Sequence, residues 1–357
     1  LGCMAQRHGE LLFKEYPQVD MVVGPSNIYD IPDLAARALG PEKILAIDKQ
    51  KRPMTKMNPE YRSGVFSAFV NIMYGCNNFC SYCIVPYVRG REVSRPKRVI
   101  IDEIKALADR GFREITLLGQ NVNSYGAGLS GRTTFPGLLE AVNGIGGIER
   151  IRFTTSHPRD AGNGLFRAMR DLDKVCEHIH LPLQSGSNKI LDLMNRKYTV
   201  EEYRAKIDLL REMVPGAAVT TDIIVGFPSE KESDYQATRR AMEKIGYNSA
   251  FIFKYSPRSP ALSSRLVDDV PAEAKKQRNN ELLDMQRKIS QTRNRQMTGG
   301  VREVLVAGKS RMSDKELTGK TRDNTSCVFA GADSLIGQLV SVRIKGASPF
   351  TLKGELS

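Results

Sequence analysis

The sequence predicts an α/β protein: a partial (β/α)6 barrel, preceded by the remnant of a separate α/β domain and followed by a small all-β barrel. Three observations carry this. Between residues 65 and 253, short β-branched and aliphatic runs alternate with longer amphipathic stretches, the pattern of βα units around a parallel sheet. Beyond Gly299-Gly300 the pattern changes to short strands punctuated by glycine, which reads as a small barrel. At 357 residues the chain is also long for a single core, so two or three are expected.

In chain order, residues 5–16 read as a helix, 19–23 as a strand and 31–39 as a helix that ends before Pro41. This is enough for the tail of an α/β domain over 1–49 and too little for a whole one. Residues 50–64, rich in Lys, Arg, Pro and Met without a sustained period, read as a linker. A strand at 65–73 opens the main series. Helix 101–110, strand 114–118, helix 135–142, strand 150–154, helix 164–171 and strand 178–181 follow. Helices 189–195 and 200–214, strand 219–225, helix 232–245 and strand 249–253 complete it. Spacing leaves open whether the sheet closes. A long polar helix at 272–295 leads out of this domain, taken as 65–294. The last domain, 295–357, holds strands at 302–307, 318–321, 326–329, 338–345 and 351–355.

The formal charge of +13 favours a polyanionic partner, nucleic acid above all, against the plainer reading of a basic, soluble surface. From Lys275 to Arg322 there are 13 Lys or Arg against 5 Asp or Glu, so the surplus sits on the long helix and the β domain. No apolar run approaches the ~18 residues of a membrane span, so no membrane partner is expected. The chain opens on Leu1-Gly2-Cys3-Met4, which reads like the middle of a domain and predicts a longer parent. Of six cysteines, three fall within eight residues, which is no disulfide framework and fits a reducing cytoplasm.

Those three, Cys76, Cys80 and Cys83, have the spacing C-x-x-x-C-x-x-C. Three thiolates on one tight loop can ligate three irons of a cubane and leave the fourth iron open to a small ligand. Structural zinc is the competing reading, but it takes four ligands, commonly as two spaced pairs, and no suitable fourth follows. With Tyr82 before the last cysteine, in a loop after the first strand of a βα series, the motif resembles the radical S-adenosylmethionine (SAM) superfamily. That resemblance implies a 4Fe-4S cluster on Cys76, Cys80 and Cys83, with SAM on the open iron. The reduced cluster would cleave SAM to a 5′-deoxyadenosyl radical, with Tyr82 beside the adenine. It further implies cofactor contacts from Gln120 near the SAM amino group, from Gln184 and Ser185 near the ribose, and from Gly226 and Glu230 near the adenine. For the last two groups, a plain strand-to-helix turn is the alternative.

Three runs narrow the resemblance: Tyr87-Val88-Arg89-Gly90-Arg91-Glu92-Val93-Ser94-Arg95-Pro96, Leu118-Gly119-Gln120-Asn121-Val122-Asn123-Ser124-Tyr125, and Leu181-Pro182-Leu183-Gln184-Ser185-Gly186-Ser187. They resemble the radical SAM methylthiotransferases, MiaB type, and imply methylthiolation of carbon-2 of isopentenyladenosine beside the tRNA anticodon. The implied partners are the anticodon stem-loop and an electron donor such as flavodoxin or ferredoxin, with the chain a monomer. The β domain is similar to a TRAM RNA-binding domain; its few aromatics, Phe329 and Phe350, suggest an electrostatic grip that weakens with salt. The family's N-terminal domain holds a second 4Fe-4S cluster on three cysteines. Only Cys3 matches one of them, so this chain is expected to cleave SAM without completing methylthiolation.

Arg89, Arg91 and Arg95, just past the cluster, are candidate contacts for substrate or the SAM carboxylate. His157 and His180 are candidate acids or bases, with satisfied structural histidines the favoured reading. Cys176 and Cys327 read as buried structural thiols. Two other functions compete: a methylthiotransferase acting on a ribosomal-protein aspartate, and an RNA-binding protein with a purely structural cluster.

Overall fold

A computed structural model describes residues 1–47, 66–131 and 133–357; the expected linker at 50–64 lies outside the described residues. At the N-terminus Gly9, at positive φ, divides the expected helix into α1 (Cys3–His8) and α2 (Leu11–Glu15). Strand β1 (Met21–Val23) is followed by α3 (Ile31–Arg37) and pairs in parallel with β2 (Ile44–Ala46). Sequence periodicity did not reveal β2, because three residues carry no period. Val23, Leu34 and Ile44 form the small core of this unit.

The strand expected at 65–73 is also broken. β3 (Ser67–Asn71) enters the sheet, whereas β4 (Met73–Tyr74) turns away and, beyond the one-turn α4 (Val85–Val88), pairs antiparallel with β5 (Val93–Ser94). The cysteine loop is therefore framed on both sides. Helix α5 (Lys97–Asp109) begins right after Pro96, whose fixed φ suits a helix start. The series continues with β6 (Glu114–Leu118), α6 (Phe135–Asn143), β7 (Arg150–Thr154), α7 (Asn163–Asp171) and β8 (His178–His180). It ends with α8 (Asn188–Leu193), α9 (Val200–Met213), β9 (Ala218–Val225), α10 (Glu232–Ile245) and β10 (Ser249–Lys254). Thr199 and Glu202 close a capping box at the start of α9.

The strands form two parallel three-stranded sheets, β3-β6-β7 and β8-β9-β10. The sheets meet where the Ile151 amide donates to the Lys174 carbonyl at 2.7 Å and the Cys176 amide to the Ile151 carbonyl at 2.9 Å. No ladder joins β3 to β10 among the described residues, so the six strands make a barrel open on one side. Strand alternation sorts the side chains. Val70, Ile115, Leu117, Ile151, Phe153 and Ile179 join the apolar shell under the helices. Their neighbours, among them Glu114, Arg152, His180 and Asp222, face the lumen.

Helix α11 (Ala272–Arg295) leads to β11 (Val301–Ser310), β12 (Ser313–Thr321), β13 (Ser326–Ala330), β14 (Leu339–Ala347) and β15 (Thr351–Leu356). These close a barrel in the order β11-β12-β13-β15-β14. Its core includes Val304, Leu317, Cys327, Phe329 and Ile344. Phe329 is therefore a core residue and offers no face for stacking; Phe350 is 68% exposed. The polar face of α11 is partly used inside the molecule: Gln291 and Asn294 donate to the carbonyls of Ala347 and Ser348, both at 2.9 Å.

The C-terminal barrel sits against the N-terminal ends of β7 and β8. Arg150 forks onto Glu303 and donates to the Lys320 carbonyl at 2.7 Å. Arg152 joins Glu114 at 2.7 Å and donates to the carbonyls of Thr321 and Arg322. Arg322 in return forks onto Glu177 and reaches the Val175 carbonyl at 2.8 Å.

Candidate active site

The cysteine loop starts at Gly75, with φ of 68°; a Cβ there would lie 2.1 Å from the Arg91 carbonyl oxygen, so only glycine lets the loop press on the strand returning as β5. The other side is clamped to the end of α8. The Ser81 amide and hydroxyl donate to the carbonyls of Met194 and Leu193 at 3.0 and 2.7 Å, and Asn195 Nδ2 donates to the Phe79 carbonyl at 3.0 Å. Held this way, the three thiols face one space and feel one another's charge. Burial raises the Cys76 thiol and pushes Cys83 up to about 11, with the neighbouring sulfurs adding to both. Thiols so raised are poor nucleophiles at neutral pH, whereas coordination to iron keeps such sulfurs deprotonated. Among the described residues no three His, Cys, Asp or Glu side chains gather closely enough for a single metal ion. A cubane places each cysteine on a different iron.

Beside the thiols lies a residue that no sequence signal marked. Arg196, 3% exposed, donates from Nη1 to Cys80 Sγ and to the Tyr82 hydroxyl, each at 3.2 Å. Its Nη2 reaches the Pro182 carbonyl at 2.8 Å and its Nε the Tyr198 hydroxyl at 2.9 Å. Burial opposes its charge, yet the guanidinium stays protonated, with the Tyr198 and Tyr82 hydroxyls and the Cys80 sulfur as its neighbours. Tyr82 itself packs with Ile190, Met194, Phe227 and Tyr255, an apolar wall next to the cluster loop.

Buried polar atoms without partners ring the C-terminal ends of the strands. They are Gln120 Oε1 and the Asn123 amide after β6, Ser156 Oγ and His157 Nε2 after β7, and Gln184 Oε1 after β8. Leaving such groups unmet costs roughly 1–3 kcal/mol each. A polar, zwitterionic nucleoside such as SAM is chemically suited to meet them, and this end of a parallel barrel is where ligands bind. His157 is held neutral: burial, with Arg196, Arg159 and Lys206 nearby, brings it down to about 2. Its Nδ1 accepts from the Arg159 amide at 3.3 Å, which leaves Nε2 as the donor.

Several expected contacts are corrected. Arg95 is fully buried, ion-paired to Glu103 at 2.8 Å and bonded to the Asn71 carbonyl, so it braces the strand and does not reach a substrate. Glu230 is tied to Arg278 at 2.8 Å and to the Gly226 amide at 2.7 Å, while the Lys275 side chain fills the space above Gly226. Ser185, wholly buried, bonds Thr238 on α10 at 3.3 Å. These three are engaged within the turns themselves. Arg91 lies over the Phe79 ring at 5.4 Å, and Arg89 Nε is 3.4 Å from the Cys3 sulfur. Cys3 thus lies against the cluster-bearing domain. In the lumen His180 is satisfied, with Nε2 3.3 Å from Asp222 and Nδ1 3.0 Å from Thr220 Oγ1, and its ring meets Phe251 edge-on at 6.1 Å. Cys176 and Cys327 are buried at 1% and 0% exposure.

An open parallel barrel whose cysteine loop and unmet polar groups share one end defines a Radical SAM enzyme, here joined to a small RNA-binding type of barrel. Residues 70–242 match the Radical SAM superfamily and 295–357 the TRAM domain. A 4Fe-4S cluster and SAM are the cofactors of that superfamily. The tRNA-2-methylthio-N(6)-dimethylallyladenosine synthase of Thermoanaerobacter sp. (strain X514) is 47% identical over 99% of this chain and 76% of its own length. That of Moorella thermoacetica is 45% identical over 99% of this chain and 81% of its own. This chain belongs to the tRNA-2-methylthio-N(6)-dimethylallyladenosine synthase family. A solved cobalamin-dependent S-adenosylmethionine radical enzyme, with aqua-cobalamin and S-adenosylmethionine bound, covers 79% of this chain and 42% of its own. It has a TM-score of 0.50 and 12% identity, a likeness of fold alone.

Proposed function

We propose that this chain generates the radical and holds the RNA in the methylthiolation of carbon-2 of isopentenyladenosine, next to the anticodon of tRNA. The observation that carries the reading is 47% identity along 99% of the chain to an enzyme named for that product, with Cys76, Cys80 and Cys83 on one loop at the barrel mouth. A bound 4Fe-4S cluster supplies the one-electron cleavage of SAM to a 5′-deoxyadenosyl radical. Cys76, Cys80 and Cys83 hold it, and Tyr82 offers the adenine an apolar wall. Gln120 and Gln184 accept hydrogen bonds from SAM, and neutral His157 donates one from Nε2. Phe251, half exposed beside His180, offers a ring face on which a nucleobase can stack in the lumen. Arg89 and Arg91 stand at the rim, where phosphates pass.

Exposed Arg311, Lys315, Arg343 and Lys353 on the C-terminal barrel suit the RNA backbone. Reduction by flavodoxin or ferredoxin, a monomeric state and a cytoplasmic setting complete the proposal; among the described residues no helix is long and apolar enough to cross a membrane. Cys3 is taken as one ligand of the family's second cluster. One cysteine is not a ligand set, so no step is assigned to that cluster on these residues. A ribosomal-protein acceptor is not favoured by relatives named for tRNA, and a structural cluster would leave the ring of polar atoms unmet. The test is mass spectrometry of reaction products. The reconstituted chain with dithionite and SAM is expected to release 5′-deoxyadenosine. A loaded chain that leaves SAM intact would overturn the reading.

A further inference from the structure

Arg196 is a buried cation without a buried anion. Its partners are two tyrosine hydroxyls, a backbone carbonyl and one sulfur; no Asp or Glu among the described residues is hydrogen-bonded or ion-paired to it. Phenol hydroxyls are neutral at neutral pH, so neither tyrosine supplies negative charge. Folds rarely keep such a charge uncompensated, because desolvating it is costly unless an opposite charge sits close by. The group that remains is the sulfur of Cys80, 3.2 Å away, together with whatever that sulfur ligates. The guanidinium cannot drift: Tyr198 and Pro182 hold its Nε and Nη2, and its plane lies 5.2 Å from the Tyr198 ring centroid.

We infer that Arg196 is a positioning residue that raises the reduction potential of the cluster held by Cys76, Cys80 and Cys83. This rests on the reading of those cysteines as 4Fe-4S ligands. Reduction adds one electron to the cluster and makes it more negative. A fixed cation and its hydrogen bond to a ligating sulfur stabilise the reduced form more than the oxidised one. The same Nη1 also bonds the Tyr82 hydroxyl, so one guanidinium couples the electronics of the cluster to the wall that receives adenine.

The test needs no turnover. The chain and its Arg196→Gln and Arg196→Lys variants are reconstituted anaerobically, matched for iron and sulfide, and titrated without SAM while the reduced-cluster EPR signal is followed. A midpoint shifted to more negative potential in R196Q, with R196K nearer the parent, is the expected result. An R196Q midpoint equal to the parent's, at equal cluster content, overturns the inference. If R196Q fails to fold or to load, the unmutated chain labelled with ¹⁵N-arginine decides: a hyperfine coupling from arginine nitrogen to the reduced cluster supports the contact, and its absence overturns it. A parent chain that assembles no 4Fe-4S signal sinks the cysteine assignment, and this inference with it.

Discussion

Arg150, Arg152 and Arg322, at the N-terminal end of the barrel strands, spend their N–H groups on carboxylates and carbonyls, whereas Gln120, Asn123, Ser156, His157 and Gln184, at the C-terminal end, bury polar atoms that no group among the described residues meets. The same strands supply both ends, so the difference is not one of sheet quality. One end is an interface between two domains, and its polarity is settled at folding. The other is left unsettled until a ligand arrives, which is why its polar atoms mark a site.

Four experiments would break or sharpen this contrast, in falling order of effect. Replacing Cys80 with Ala strikes the unsettled end hardest: 5′-deoxyadenosine formation is expected to drop to background and the cluster absorbance to disappear. Arg152→Ala strikes the settled end, leaving Glu114 buried without its cation at a cost of about 3–5 kcal/mol. Chemical denaturation should report that loss, and a variant as stable as the parent would mean the interface is ornamental.

Acidification comes third. His157 and His178 are brought down to about 2 and about 3, burial being the main cause, from an ordinary 6.5. Below that ordinary value the unfolded chain binds protons that the folded chain refuses, so stability falls by about 1.4 kcal/mol per histidine for each pH unit. The loss begins near pH 6.5 and continues until pH nears the folded values; His157→Gln should remove about half of the slope in denaturation measured from pH 7 to pH 5. The smallest effect belongs to Gln120→Leu. SAM affinity, by equilibrium dialysis, should weaken about tenfold, the worth of one hydrogen bond, while the ligand-free protein stays at least as stable. A loss of stability there would mean Gln120 is already satisfied.

Much of the architecture was legible because strand and helix periods are long enough to be read: β6, β7, β9 and β10 lie where alternation and composition put them. β2, β4 and β5 were not, since two or three residues have no period and pair only because the chain around them returns. The cluster loop was legible from spacing alone, a local property. Arg196 was not, because its partner Cys80 is 116 residues away in sequence. Arg95 reads like Arg89 and Arg91 in the same run, and only the fold reveals that Glu103, one helical face further on, captures it. The Glu230 partner was hidden for the same reason: Arg278 lies on α11, a helix the motif does not include.

The arginine-locked joint beneath the barrel also fixes a distance. Five-residue strands such as β6 rise about 3.3 Å per residue, so about 17 Å of strand separates that joint from the mouth. On the proposed function, an RNA gripped by the C-terminal barrel must span that length of strand to present a base at the mouth.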